Sequence, residues 1–409
     1  MTTNSHAHPA TTLMLIAALA FANAASAYTT TTTAPQSGGC PQLNRFNLSP
    51  SLPLNRRWST SLPALASPVI ITVAPQGTAS QLNEIEQAIT ASFATWSAVT
   101  GTLFNSTSYP GVVSSLARTS AANSCTNDAD TNIDGLNTIC FNQSSAAFTT
   151  GVLAFTRTYT ANAPGAVVGS SAPAAYAGQI LDSDTLFRND GQAVYATPAA
   201  LATPTGQGAY DLESLLTHEL GHWMGLGHSA VIRAIMFPYA PPPGQYLGTR
   251  PTPAAPDAPL SDDDRAGIRT LYPDPDDAVN VGTLSGQILP ANPFALATQP
   301  AVASGSFVTG IVGAHVVAVN TSTGSVVAGA LSGWSCSSPT SNPRWDGTFA
   351  IQRLPVGNSY SLYVEPLTGI AQPSDFGDIL ADPCANSTPA CSPPAFNTNF
   401  NVTTLASAP

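Results

Sequence analysis

The amino-acid sequence predicts an α+β domain followed by an all-β sandwich, and three observations carry that expectation. Two segments place apolar residues at helical spacing: Leu82, Ile85, Ile89, Phe93 and Trp96 in one, Leu212, Leu215, Leu216, Leu220 and Trp223 in the other. Among them lie β-branched or alternating runs, PVIITV (68–73), GVLAFTRTY (151–159) and QILDSDTLF (179–187). After Pro273 the composition changes to short β-rich runs separated by Gly, Asn, Pro and Ser.

The N-terminus reads as an export signal over residues 1–27. Leu13 to Ala22 is a ten-residue apolar run, too short to span a bilayer, and Ala25-Ser26-Ala27 offers a small-residue cleavage site that leaves Tyr28 first. No Lys or Arg precedes the run, which departs from the usual signal pattern. Residues 28–57 are rich in Thr, Pro and Ser and form an extended leader or short pro-segment, with order beginning near Arg57-Trp58.

The first helix opens with Thr78 and Gln81 in a capping-box pattern and is stopped by Gly101. The second starts at Asp211, a good N-cap. The Pro-rich stretch APPPGQYLGTRPTPAAPDAP (240–259) resembles a linker, but LSDDDRAGIRTLYP (260–273) follows. That is a short helix with Ser261 as N-cap, acids in its first turn and proline just past its end. Alone it has little to pack on, so it closes the same domain. The first domain is therefore 58–273 and the second 274–409, with strands expected in GAHVVAVN, GSVVAGAL, GTFAIQRL and NSYSLYVEPL. His315, in GAHV, alternates with apolar neighbours and reads as a packed strand residue.

Charge and cysteine narrow the function. A net charge of −11, with only 9% charged residues and arginine as every basic residue, argues against nucleic acid or an anionic membrane surface as partner. No stretch beyond the signal is long and apolar enough to cross a membrane. Six cysteines in an exported chain point to disulfides. Cys125 with Cys140 and Cys384 with Cys391 could each close a local bridge, leaving Cys40 and Cys336 unassigned.

Residues 217–229, THELGHWMGLGHS, concentrate chemistry that the rest of the chain lacks. Outside it the only histidines are His6, His8 and His315. His218 and His222 are four apart on a helix, so both imidazoles leave one face a turn apart and can reach a single metal ion. Glu219 sits about 100° round the helix from His218, beside the metal rather than on it, where a carboxylate can hold a water and take its proton. Gly225 then lets the helix stop and the chain turn sharply, so that His228 returns as third ligand. Three neutral nitrogens leave the fourth position of Zn²⁺ open, which distinguishes a catalytic from a structural site.

The run HELGHWMGLGHS (218–229) resembles the metzincin clan of zinc endopeptidases, and Ser229 after the third histidine is the matrixin-like variant. AIMFP, eight residues beyond His228 at its methionine, is similar to the clan's Met-turn and makes Met236 the methionine beneath the zinc. The resemblance extends over most of 57–273 and implies a twisted mixed sheet, an active-site helix and a C-terminal helix. It also implies that Leu153 and Ala154 lie on the edge strand that pairs with substrate backbone. Asp263 and Asp264 would match the paired acids of the closing helix, and 240–259 would shape the S1′ pocket.

Departures from the family pattern are plain. No histidine lies between His8 and His218, so the second, structural zinc site of many matrixins is missing. Cys40, in GGCPQL, lacks the flanking Arg and Gly of the latency switch, which favours a bridge over a zinc-ligand role. Tyr239 follows the Met-turn proline directly, which puts the family tyrosine's pocket-wall role in doubt. Ca²⁺ could use Asp182 and Asp184, or Asp128, Asp130 and Asp134, although solvated turn acids are the commoner fate of such residues.

The C-terminal part resembles the carboxypeptidase-regulatory-like, or transthyretin-like, sandwich through GAHVVAVNTSTGSVVAGA and DGTFAIQRLPVGNSYSLYVEPL. Fold alone implies no function there. Together these readings give a secreted zinc endopeptidase acting on protein or peptide, with Glu219 as general base and His218, His222 and His228 on the metal. The C-terminal part would attach to substrate or a surface. The rival readings are an inactive metzincin-fold adhesin and a zinc amidase acting on a non-protein polymer.

Overall fold

The computed structural model describes residues 14–15, 28–30, 70–73, 79–103, 115–118, 137–143, 148, 150–161, 179–188, 195–198, 208–292, 308–335, 344–367, 370–376 and 394–408. Within the expected signal and leader, only two short strands are described. β1 (Met14–Leu15) pairs with Leu289 and Ile288, and β2 (Tyr28–Thr30) pairs antiparallel with Leu226–Ser229. Arg57, Trp58, Thr78, Asp128, Asp130 and Asp134 lie outside the described residues.

The first region is built on a five-stranded sheet. Its strands are β3 (Ile70–Val73), β4 (Ser115–Arg118), β5 (Asn137–Gln143), β6 (Ala154–Thr160) and β7 (Ile180–Arg188). Their order is β4-β3-β5-β7-β6, parallel throughout except for the antiparallel edge strand β6. β5 was not expected from the sequence. Its Asn, Thr and Gln hide the strand pattern, yet it is the central strand, with Ile139, Cys140 and Phe141 buried.

Two helices cover this sheet. In α1 (Ala79–Ser97) the residues Ile85, Ile89, Phe93 and Trp96 are buried, as their spacing predicts, and Gly101 ends the segment at φ +76°. Two short strands, β8 (Tyr195–Ala196) and β9 (Tyr210–Asp211), lead into α2 (Leu212–Trp223). Asp211 caps α2 by accepting from Ser214 N at 2.8 Å. The helices are locked together by polar contacts as well as packing. The Trp96 indole Nε1–H donates to Thr217 O at 2.8 Å, and Thr217 Oγ donates to Ser92 Oγ at 3.1 Å. Around them Phe93, Leu216, Leu220, Trp223, Met236 and Tyr272 form one apolar core.

The chain then turns through β10 (Leu226–Ser229) and the 240–259 segment into α3 (Asp262–Leu271). Arg250 anchors that Pro-rich segment. It pairs with Asp211, and with Glu213 at 2.8 Å, at the start of α2, so the segment belongs to this region rather than acting as a linker. Ser261 caps α3 in a full capping box with Asp264.

Beyond a 3₁₀ turn the described elements are strands, apart from a second 3₁₀ turn at Pro373–Phe376: β11 (Val281–Leu289), β12 (Ala314–Asn320), β13 (Val326–Leu331), β14 (Thr348–Pro355), β15 (Tyr360–Pro366) and β16 (Thr403–Ala408). They form two antiparallel sheets, β11-β14, to which β1 from the N-terminal segment adds beside β11, and β13-β12-β15-β16. Ile288, Phe349 and Ile351 from one sheet share a core with Val316, Ala328 and Leu362 from the other. His315 is buried on β12 with its Nδ1 3.0 Å from Glu365 Oε1 on β15. It packs inside the sheet, as expected.

The closing helix serves both regions, since Ala266 belongs to the C-terminal core while Ile268 and Leu271 belong to the first.

Candidate metal centre

The three histidines of 217–229 converge. One ring nitrogen from each of His218, His222 and His228 lies within 4.8 Å of the other two, and among the described residues no other group of three or more His, Cys, Asp or Glu could hold a metal. The helix places the first pair, with Nε2 of His218 and His222 3.1 Å apart. Gly225, at φ +101°, makes the turn that a Cβ would oppose, and β10 then returns His228 to the same point.

Each imidazole is fixed through its other nitrogen. Nδ1–H of His218 donates to Ile235 O at 2.7 Å, that of His222 to Leu226 O at 2.8 Å, and that of His228 to Asp375 O at 3.2 Å. Committing every Nδ1–H to a carbonyl puts the lone pair of each imidazole on Nε2, the tautomer a metal needs. Burial keeps the two helix-borne rings neutral: desolvation, then the neighbouring histidines, lower the pKa of His222 well below the usual value and that of His218 to about 3. Tetrahedral zinc with three nitrogen ligands asks for nitrogens about 3.3 Å apart; the His218–His222 pair stands at 3.1 Å and all three lie within 4.8 Å, a donor set of the right chemistry for it.

Glu219 is almost fully buried and, among the described residues, has no cationic partner. Its Oε2 accepts from Thr156 Oγ at 2.7 Å, and Thr156 in turn meets Thr185 at 2.9 Å across β6 and β7. Burial raises its pKa to about 7, with the Thr156 hydrogen bond opposing the rise. The sequence contained no local sign of Thr156, which lies 63 positions away and arrives only through the β6–β7 register.

Support beneath the site comes from the Met-turn and α3. Met236 is fully buried, and a Cβ built on Gly221 would stand 2.2 Å from its Sδ. Glycine at 221 is therefore what lets the methionine sit under α2. Asp264 accepts from Ile235 N at 2.8 Å and Met236 N at 3.1 Å, fixing the backbone whose carbonyl holds His218. Asp263 accepts from Ser229 Oγ at 2.6 Å, next to His228. The paired acids, assigned by resemblance alone, thus each support one side of the centre.

Other expected residues fall as follows. Ala154 opens edge strand β6 and Leu153 immediately precedes it, with Leu153 O accepting from Tyr195 Oη at 2.6 Å. Tyr239 is half exposed, its hydroxyl within 3.5 Å of Asp375 Oδ2 in the C-terminal region. Asp182 and Asp184 are not solvated turn acids. They lie buried in β7, where the strand is covered along Ile180–Phe187. Cys140 is buried on β5, while Cys40, Cys125, Cys336, Cys384 and Cys391 lie outside the described residues.

An α+β sheet carrying a three-histidine centre, a buried glutamate and a methionine turn defines a class of metal-dependent fold, and comparison with known proteins agrees. The family model of matrixin, peptidase M10, matches residues 68–273, half of the 409, and the chain belongs to that family. Metalloendoproteinase 1 of Glycine max is 45% identical over 64 residues, 16% of this chain and 17% of that protein. Metalloendoproteinase 1-MMP of Arabidopsis thaliana is 38% identical over 95 residues, 20% of this chain and 23% of that one. Metalloendoproteinase 4-MMP of Arabidopsis thaliana is 39% identical over 64 residues, 16% of each. The matches span a quarter or less of the length of these curated relatives.

Proposed function

We propose that the chain is a secreted zinc endopeptidase that hydrolyses protein or peptide bonds, with His218, His222 and His228 as metal ligands and Glu219 as general base. The single observation that carries this reading is a buried carboxylate standing beside three imidazoles whose Nδ1 atoms are all committed to carbonyls. Zinc, when bound, supplies Lewis-acid polarisation of a carbonyl and acidification of a water. Glu219 takes the proton of the attacking water and returns it to the leaving nitrogen, a cycle suited to a carboxyl whose burial raises its pKa toward neutrality. Thr156 holds one carboxylate oxygen, which leaves the other to meet the proton.

Among the described strands β6 stands at the edge of its sheet, the position at which an extended substrate can add by main-chain pairing. Export is supported by the apolar run and small-residue site of 1–27, and among the described residues no helix is long and apolar enough to cross a membrane. A bridge between Cys125 and Cys140 is consistent with that compartment, Cys140 having no free thiol. The two C-terminal antiparallel sheets fit a carboxypeptidase-regulatory-like sandwich occupying 274–409, after a peptidase domain of 58–273.

The test is cleavage of casein or gelatin, with and without a chelator, by the wild type and by Glu219→Gln. Chelation should abolish cleavage. Glu219→Gln should keep its zinc and lose about 10³-fold in rate. Cleavage that survives the chelator would overturn the metal's role, and an unchanged rate in Glu219→Gln would overturn the base. Release of products from a cell-wall polymer but not from casein would favour the amidase reading.

A further inference from the structure

We propose that the Pro373–Phe376 turn of the C-terminal region is part of the metal centre, with Asp375 as a positioning residue that sets the orientation of His228. This rests on the reading that the three histidines hold zinc. His218 and His222 take their carbonyl partners from Ile235 and Leu226, inside the matrixin region. His228 takes its partner from Asp375, 147 positions further along the chain. That third ligand stands on a strand after a glycine turn, not on a helix, so no neighbouring turn of helix fixes its ring. A carbonyl on Nδ1–H selects both its tautomer and its rotation.

The turn that supplies this carbonyl is itself fixed from both regions. Asp375 Oδ2 accepts from Gln372 N at 2.8 Å within the turn, and its carboxylate faces the hydroxyl of Tyr239 at 3.5 Å. Phe376 is buried in a small cluster with Ala230, Leu331 and Leu367, and Ala230 lies two residues after His228. A second tether lies on the other side of the ligand strand, where Asp263 accepts from Ser229 Oγ at 2.6 Å and from Gly329 N of β13 at 2.8 Å. The C-terminal region therefore meets the ligand strand at two successive residues, through the Asp375 carbonyl at His228 and through Asp263 and Gly329 at Ser229. Their turn behaves as an outer support of the ligand and not as a remote attachment.

The test uses the full-length chain loaded with zinc, and reads zinc release to a chromogenic chelator, the visible spectrum of the cobalt-substituted form, and the melting temperature of the metal-free form. Asp375→Ala removes the side chain that holds the turn. It should release zinc about tenfold faster and alter the cobalt spectrum, with the metal-free melting temperature unmoved. Asp375→Asn, which keeps an acceptor for Gln372 N, should restore release to about the wild-type rate. Phe376→Leu shortens the apolar anchor while keeping it apolar, and should speed release by about threefold, which keeps the test open if the alanine variant does not fold. Wild-type release rates and an unchanged cobalt spectrum in the folded variants would overturn the inference while leaving one zinc per wild-type chain. A wild-type chain that binds no zinc would overturn the inference and the reading beneath it together.

Discussion

His218 and His222 stand on a helix enclosed by the matrixin region, whereas His228 stands on a strand that faces the C-terminal sheets. The supports differ in the same way. Behind His218 lies a relay within one region, from Asp264 through the amides of Ile235 and Met236 to the Ile235 carbonyl. Behind His228 lies a carbonyl from the far end of the chain. The difference teaches that a spacing rule can bring two imidazoles of a candidate metal centre together on its own, while the third depends on how separate sheets dock.

The contrast is broken most severely at Asp264. Asp264→Ala leaves the buried amides of Ile235 and Met236 without an acceptor and removes the capping box of α3. At 1–3 kcal/mol for each stranded buried group, a loss of about 4 kcal/mol is expected. Calorimetry of the metal-free chain should show melting lowered by about 10 °C. Were the metal-free chain to lose no more from Asp264→Ala than from Asp375→Ala, the two supports would be equivalent and the contrast would fail.

Asp263 sharpens it through pH. Burial raises the folded-state pKa of Asp263 to about 7 from an ordinary value of 3.8, with the hydrogen bonds from Ser229 and Gly329 opposing the rise. The folded chain therefore holds this proton more tightly than the unfolded chain between those values. The contribution is fully present below about pH 4 and is lost as pH rises through about 7. Asp263→Asn can keep both hydrogen-bond partners without a charge. Zinc-loaded wild type should lose stability relative to this variant between pH 4 and pH 8, by about 3 kcal/mol in denaturant titrations. Parallel pH curves for the two proteins would show that the tether to Gly329 carries no charge penalty.

A smaller effect is expected at Gly221, on the helix side of the comparison. Gly221→Ala drives a methyl into Met236 Sδ and should cost about 2 kcal/mol by overpacking. Adding Met236→Ala should return part of that loss, because the two changes meet at one contact. A strictly additive double variant would place the strain elsewhere.

Much of the centre was legible because its information is local. The four-residue step from His218 to His222, the turn glycine at 225 and the N-cap Asp211 are statements about one short segment, and the structure bears out each as geometry. The α1 stripe likewise needed only its own spacing. Asp263 and Asp264 were reached by resemblance, since a pair of acids at a helix start is by itself only a cap. Thr156, Asp375 and the Gly221–Met236 contact were not legible. Each joins positions whose approach is decided by strand register, by docking of the C-terminal sheets or by packing depth under α2. Strand β5 escaped for another reason. Central strands are recognised by apolar runs, and this one mixes Asn and Gln with its buried Ile139 and Phe141.

Helix α3 is only ten residues long, yet Ile268 and Leu271 belong to one core and Ala266 to the other. A segment that two cores own in common cannot stay folded when either is lost. Heating the intact chain in a scanning calorimeter should accordingly give one endotherm whose calorimetric and van't Hoff enthalpies agree, where independently folded modules would give two. Proteolytic nicking near residue 274 would then release no stable half, and the molecule's lifetime would be set by a single cooperative opening.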